Sequence, residues 1–255
     1  GKFIVFLSCR NAIFILTKEL AMETVMEAKN LCKSFGQGEG KVDAIRNVNF
    51  KIEQGELTII LGPSGAGKST LLNLIGGMDS ATSGSLIVKG EDLSKFNQKQ
   101  LGDYRRNYIG FVFQFYNLMP NLTAKENVEL ATELKKDALS VDKTLEAVGL
   151  GKRFNNFPSQ LSGGEQQRVS VARAIAKNPD IILCDEPTGA LDYETGKEIL
   201  KLLSSCAKTQ KKTVIIVTHN SALKDMGDHL LRIKNGEIVL DEHNPNPVDI
   251  ESIEW

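Results

Sequence analysis

The sequence predicts an α/β domain: a mostly parallel sheet with helices on its faces and a helical block inserted into it. Three observations predict this class. After residue 161, helical stretches alternate with the short apolar runs "DIILCDE", "KTVIIVTH" and "HLLRIKNGEIVL", as expected of strands joined by crossover helices. A glycine-rich loop, "GPSGAGKST" at 62–70, stands between the apolar "ELTIIL" and the helical "STLLNLIGGM", which ends on a Gly pair. From 115 to 160 the pattern is helical ("TAKENVELATELKK", "SVDKTLEAVGL") and strands vanish.

Taken in chain order, the first segment is the odd one. "FIVFLSCRNAIFIL" (3–16) is strongly apolar but broken by Arg10-Asn11, and a spanning helix needs about 20 apolar residues. "TKELAMETVM" offers a poor signal-peptide cleavage site. Residues 1–25 are expected to be an extension outside the functional domain, with Met22 or Met26 as a natural start. A membrane-surface helix is the sharper alternative, against a poor amphipathic pattern. Residues 25–61 alternate apolar and polar ("VMEAKNLCKSF", "AIRNVNFKI") before the buried "ELTIIL", which predicts several strands. "IGFVFQ" reads as a further strand, ending in Gln114, and "NGE" at 235–237 as a two-strand turn. The end, "DEHNPNPVDIESIEW", has the composition of a surface tail.

Composition excludes several classes. Hydrophobic residues at 41% and charged residues at 25% are ordinary for a soluble globular chain. A net charge of −1 argues against nucleic acid as a partner and against a polybasic membrane anchor. Cys9, Cys32, Cys184 and Cys206 form no CxxC pair and no metal-ligand spacing, so they read as reduced thiols of a cytosolic protein.

The loop at 62–70 fits G-x4-G-K-[ST], with Gly62, Pro63, Ser64, Gly65, Ala66, Gly67, Lys68, Ser69 and Thr70. Glycine lets the backbone approach phosphates closely, and successive N–H groups make a concave anion site. Lys68 supplies charge for the β and γ phosphates, and Ser69 can ligate Mg2+. This predicts a nucleoside triphosphate site. "IILCDEP" is a buried strand ending in two carboxylates. Asp185 suits the Mg2+ shell, and Glu186, pointing the other way, can polarise an attacking water. "VIIVTHN" repeats the geometry with Thr218-His219, and His219 could donate to a γ-phosphate oxygen. Gln114 suits a second-sphere partner of Mg2+ or water. His229 and His243 are assigned no role. "LSGGEQQR" at 161–168 is, taken alone, a Ser N-cap with glycines.

The ordered set of "GPSGAGKS", Gln114, "LSGGE" (161–165), "CDE" (184–186), "ALD" (190–192) and His219 resembles the ATP-binding cassette (ABC) ATPases over about residues 26–240. The resemblance implies a RecA-like P-loop NTPase core with an antiparallel N-terminal β part, a helical subdomain at about 115–165, and a tail at 242–255. It implies ATP and Mg2+ as cofactors and a homodimer formed on ATP binding. In such a dimer Leu161, Ser162, Gly163, Gly164 and Glu165 of one copy close over the γ-phosphate held by the other. Phe35 would stack on adenine, Lys68 and Ser69 would hold phosphate and metal, and Gln114 would sense metal and transporter. Asp185 would hold the magnesium shell, Glu186 act as general base, His219 clamp the γ-phosphate, and Asp192 face the other subunit. "GALD" departs from the "SALD" of many relatives. "GGMDSATSG", "IGFVFQFYNLMPNLTAKENVEL" and "DEPTGALDYETG" are similar to the MacB, LolD and FtsE branch and to BceA-like modules. The branch implies an integral membrane permease subunit and a peripheral place on the cytoplasmic face of the plasma membrane. A regulator of cell-envelope enzymes that transports nothing is the alternative.

Other P-loop classes fit less well. A chromosome-maintenance ATPase would carry a long coiled coil before the signature, and a soluble translation factor of the family would carry two cassettes. A P-loop kinase or GTPase would lack "LSGGE".

Overall fold

The computed structural model describes residues 23–133 and 135–254; the expectation for the apolar segment at 3–16 lies outside them. Two sheets carry the chain. The smaller is antiparallel, in the order β2-β1-β4-β5, from β1 (Thr24–Phe35), β2 (Val42–Glu53), β4 (Ser83–Val88) and β5 (Glu91–Asp92). The larger has six strands in the order β10-β9-β3-β8-β7-β6. These are β3 (Leu57–Leu61), β6 (Ile109–Val112), β7 (Ile181–Asp185), β8 (Thr213–Thr218), β9 (His229–Lys234) and β10 (Glu237–His243). All neighbours in it are parallel except β9 and β10, which turn across Asn235 and Gly236 at φ of 50° and 81°. Left-handed backbone at both central residues gives the turn that matches strand twist, and Asn-Gly is the pair that tolerates it.

The core follows from the patterning. Every residue of β3 is buried, as its unbroken "LTIIL" requires of a strand covered on both faces. Helix α1 (Lys68–Ile75) buries Leu71, Leu72, Leu74 and Ile75 in the cluster it shares with Ile45 and Phe50 of β2 and with Ile60, Leu183 and Val217 of the six-stranded sheet. Helix α2 (Gln98–Tyr108), opened by an Asn97–Gln100 capping box, and strands β4 and β5 occupy 83–108, where no elements are predicted.

The helical block is two short helices, α3 (Ala124–Thr132) and α4 (Val141–Ala147), packed against the longer α5 (Gly163–Ala176). Val128, Leu145 and Leu150 meet Val169, Ala172 and Ala176 of α5 in a cluster of their own. The opposite face of α5, through Val171, Ala174 and Ile175, joins the cluster beneath the large sheet. One helix therefore ties the block to the sheet.

The last segment differs from a solvated tail. Ile250 and Ile253 are buried against helix α6 (Tyr193–Lys208). Tyr193 donates its hydroxyl to Ile253 O at 2.9 Å, and Lys197 pairs with Glu251 at 2.9 Å. Two isoleucines three residues apart give an otherwise polar segment one apolar face, and α6 supplies its partner.

Candidate active site

Parallel pairing puts the C-terminal ends of β3, β8, β7 and β6 on one edge of the sheet, where open α/β sheets bind ligands. A cleft of about 1010 Å³ there gathers Pro63, Ser64, Gly65, Gly67, Lys68, Ser69 and Thr70 with Gln114, Asp185, Glu186 and His219. Gly62 and Ala66 lie in the same loop, Gly62 N–H donating to Thr218 O at 3.3 Å.

The loop's glycines are required by geometry. Gly67 has φ of +103°, and a Cβ there would stand 2.5 Å from Ala44 O; one on Gly62 would stand 2.4 Å from Ile233 O. Lys68 is buried, its Nζ donating to Gly62 O at 2.8 Å and Pro63 O at 3.0 Å, so the loop curls around its own ammonium. Gly67 caps α1 with no side-chain bond, which leaves the first helical N–H groups and the positive helix end facing the cleft.

The two residues expected to ligate metal meet: Ser69 Oγ donates to Asp185 Oδ1 at 3.2 Å. Burial pushes the Asp185 carboxyl above the usual range; its bond from Ser69 works the other way, the Glu186 charge adds to the rise, and Lys68 opposes it. A carboxylate so desolvated, beside a hydroxyl and facing a cleft, fits a divalent cation. Glu186 has φ of +47°, and its N–H donates to Val217 O at 2.9 Å. Its carboxylate is nearly closed off: Oε2 accepts from Thr218 Oγ1 at 3.0 Å, and Oε1 is 2.8 Å from His219 Nδ1. His219 remains 66% exposed on its side chain, open to a ligand above it.

The signature residues stand elsewhere. Ser162 caps α5 in a capping box, Oγ accepting from Glu165 N at 3.2 Å and its own N–H donating to Glu165 Oε2 at 2.8 Å. Those Ser162 bonds, with burial opposing and Arg153 at 2.8 Å assisting, hold the Glu165 carboxyl below the usual range. Leu161 is buried in the helical cluster. None of 161–165 lines the cleft. Asp192 is also outside it, capping α6 through Thr195 N at 3.0 Å. Phe35 is exposed at the end of β1 with Lys33 Nζ 4.9 Å above its ring; it pairs in register with Val42, which does line the cleft.

Sequence reasoning misses one wall. Val42, Asp43, Ala44 and Arg46 of β2, with Asn235 and Gly236, complete the cleft. Gly236 N–H donates to Ala66 O at 2.9 Å, and Arg46 N–H to Gly236 O at 2.8 Å, so the β9–β10 turn is pinned between β2 and the loop. "NG" marks the turn, but nothing local says where it docks.

The model of the family described as ABC transporter matches residues 45–189. An uncharacterized ABC transporter ATP-binding protein of Thermotoga maritima is 48% identical over 225 residues, covering 85% of this chain and 94% of that one. The macrolide export ATP-binding/permease protein MacB of Brucella melitensis is 42% identical over 230 residues, covering 87% and 35%. The dimeric ATP-binding cassette MJ0796 of Methanocaldococcus jannaschii, in a post-hydrolysis state bound to ADP and Pi, superposes with a TM-score of 0.80 at 41% identity, covering 86% of this chain and 98% of that one. The chain spans about half the length (51%) of two Mycoplasma relatives to which it is 43% identical.

Proposed function

The chain belongs to the ATP-binding cassette family of ABC transporter ATPases, and from that premise we propose that it binds and hydrolyses ATP to drive a separate membrane subunit. Two copies would close on ATP and part after hydrolysis. The observation that carries the reading is the split of the two glycine cradles. One lies in the cleft with every predicted catalytic side chain, and the other contributes nothing to the lining of that cleft on the same chain. The dimeric state of the ADP- and Pi-bound relative supports a site completed by a second copy.

Residues 26–241 are the ATPase domain in this reading, with the helical subdomain at about 115–165. Phe35 stacks on adenine, while the 62–70 loop and Lys68 hold the phosphates. Ser69, Gln114 and Asp185 would hold Mg2+, which when bound neutralises charge on the β and γ phosphate oxygens. Glu186 takes the proton of the attacking water, and Thr218 fixes its carboxylate. His219 turns its free Nε2 edge to the γ-phosphate. The partner copy supplies Leu161, Ser162, Gly163, Gly164 and Glu165 to that phosphate and Asp192 to the seam.

Among the described residues no helix is long and apolar enough to cross a membrane. A permease subunit would hold the chain at the cytoplasmic face of the plasma membrane. Phe115, 77% exposed next to Gln114, and the exposed Met119 give that partner an apolar surface beside the cleft.

The test is complementation. Lys68→Ala destroys one cradle and Ser162→Arg the other, and each variant alone should be inactive. Mixed, they form heterodimers with one intact composite site, so ATPase activity should return. A mixture as inactive as its components would overturn the shared site.

A further inference from the structure

A second polar cluster lies at the other end of β3. Glu56, just before that strand, and His229, the first residue of β9, are buried, with side chains 1% and 0% exposed. Parallel register sets Thr58 opposite His229, and antiparallel register sets His243 of β10 opposite His229. The sheet therefore gathers Glu56, His229 and His243 at one corner. The nucleotide loop leaves the opposite end of β3, about 17 Å away for five extended residues.

One feature of this corner is not that of a closed polar core. Among the described residues Glu56 Oε2, which is buried, has no hydrogen-bond partner, while Oε1 accepts from Thr58 Oγ1 at 3.1 Å. His229 Nε2 is 2.7 Å from Asp241 Oδ1, and Nδ1 is 3.0 Å from Glu56 Oε1. With its proton on Nε2, donated to Asp241, His229 would aim the Nδ1 lone pair at a carboxylate lone pair. An imidazolium, protonated on both nitrogens, serves Asp241 and Oε1 together. A proton on Nδ1 serves Oε1 but leaves Oε2 unmet.

We infer that Glu56, His229 and His243 form a binding site for a divalent metal of the zinc class. His243 Nδ1 lies 3.8 Å from Glu56 Oε2, and the donor atoms of all three residues fall within 4.8 Å of one another. Ligand bonds of about 2.0–2.1 Å around a tetrahedral ion put neighbouring donors about 3.4 Å apart, between the two measured separations. Two imidazoles and one carboxylate select a borderline-soft ion over Mg2+ or Ca2+, which take oxygen. Asp241 stands where an orienting carboxylate belongs, fixing the tautomer and the ring plane of His229. The rings of His229 and His243 stack at 4.2 Å, so the exposed His243 must tilt out of the stack to bring its in-plane Nδ1 lone pair to the ion. A cleft of about 540 Å³ lined by Asp241 and His243 gives an ion its way in and a place for a water as fourth ligand. The bound ion would clip β10 to β3 and β9.

The experiment uses the full chain, stripped with a chelator and saturated with Mg2+ and a non-hydrolysable nucleotide to block the active cleft. Zn2+ is then titrated by calorimetry and in thermal melts. One Zn2+ per chain should bind and raise Tm. His243→Ala, at an exposed position, should abolish both effects while leaving the metal-free Tm and ATPase activity unchanged. Asp241→Asn should weaken affinity by about 10–100-fold. No binding by the parent chain, or equal affinity in the parent and His243→Ala, would overturn the site. Neither result bears on the nucleotide reading, because the clefts are separate.

Discussion

Glu186→Gln separates a chemical role from a structural one, because the surroundings of Glu186 predict very different sizes for the two effects. The side chain makes two short contacts, with Thr218 Oγ1 at 3.0 Å and His219 Nδ1 at 2.8 Å. Thr218 Oγ1 accepts from Asn220 N at 3.0 Å and gives its one hydrogen to Glu186 Oε2. A glutamine of the same shape can keep both contacts, with its amide oxygen toward Thr218 and its NH2 toward a lone pair on His219 Nδ1. With the hydrogen-bond count unchanged, folding stability should move by no more than about 1 kcal/mol. The amide cannot take a proton from water. Loss of a general base lowers turnover by about 10²–10⁴-fold, equivalent to about 3–5 kcal/mol of barrier. The assay pairs steady-state and single-turnover phosphate release with urea unfolding and nucleotide binding. Hydrolysis should fall by at least two orders of magnitude, with affinity and stability retained and ATP-bound dimers accumulating on a sizing column. Undiminished hydrolysis would show that the base is elsewhere. A loss of several kcal/mol of stability would show that the buried carboxylate serves the fold.

Three further outcomes are expected. Ser162→Ala removes the α5 cap and should cost about 1 kcal/mol in urea unfolding; no change would mean that the capping box adds nothing. Ile253→Ala should cost about 2–5 kcal/mol, because the residue is buried against α6, whereas a value below about 0.5 kcal/mol would return the segment to the status of a surface tail. Burial, with Lys135 and Arg105 nearby, pulls Lys177 down to about 8, so folding carries a cost while the free chain's lysine is charged and the folded one must be charged too. That cost is relieved as pH rises from about 8 toward about 10.4, and stability relative to Lys177→Met should climb by up to about 3 kcal/mol across that window; parallel slopes in the two proteins would refute it.

Legibility in the sequence followed locality. The phosphate loop is readable because its glycines, its lysine and the flanking strand and helix all lie within about twenty residues, and the geometry at Gly62 and Gly67 repeats what the pattern demands. The paired acids after "IILC" and the His after "VIIVT" are readable for the same reason, as each ends an unbroken apolar run. Strand β4 escapes notice because its partner is β1, with Met26 opposite Val88, and its exposed "SG" start hides the alternation. Helix α2 buries only Leu101 and Tyr104, too thin a stripe for periodicity, although its Asn97–Gln100 box is written in the chain. His229 has no local signal at all: its meaning comes from register, which sets it beside Glu56 across 173 positions. Residues whose chemistry depends on a neighbour distant in sequence stay silent until strands are paired.

The two glycine-bearing helix starts look like rival uses of one device, yet their hydrogen bonds set them apart and join them. Helix α1 has no side-chain cap, so its first N–H groups are left for an anion bound in the cleft. Helix α5 has a full capping box, the ordinary reason for a serine three residues before a glutamate. That box engages only Ser162 and Glu165, and Gln166 N–H goes to Ser162 O at 2.9 Å. Among the hydrogen bonds of the described residues, none uses the N–H of Gly163 or Gly164. The cap thus holds the helix end open and leaves two adjacent donors and the positive dipole outward, with a hydroxyl proton on Ser162 still to give. Bulk is excluded at the same place: a Cβ on Gly164 would lie 2.7 Å from Thr195 Cγ2, on the helix that Asp192 caps. Capping and anion binding are therefore not alternatives at 161–165. The first sets the shape of the helix end, and under the proposed function the second would be met by a phosphate carried by another copy.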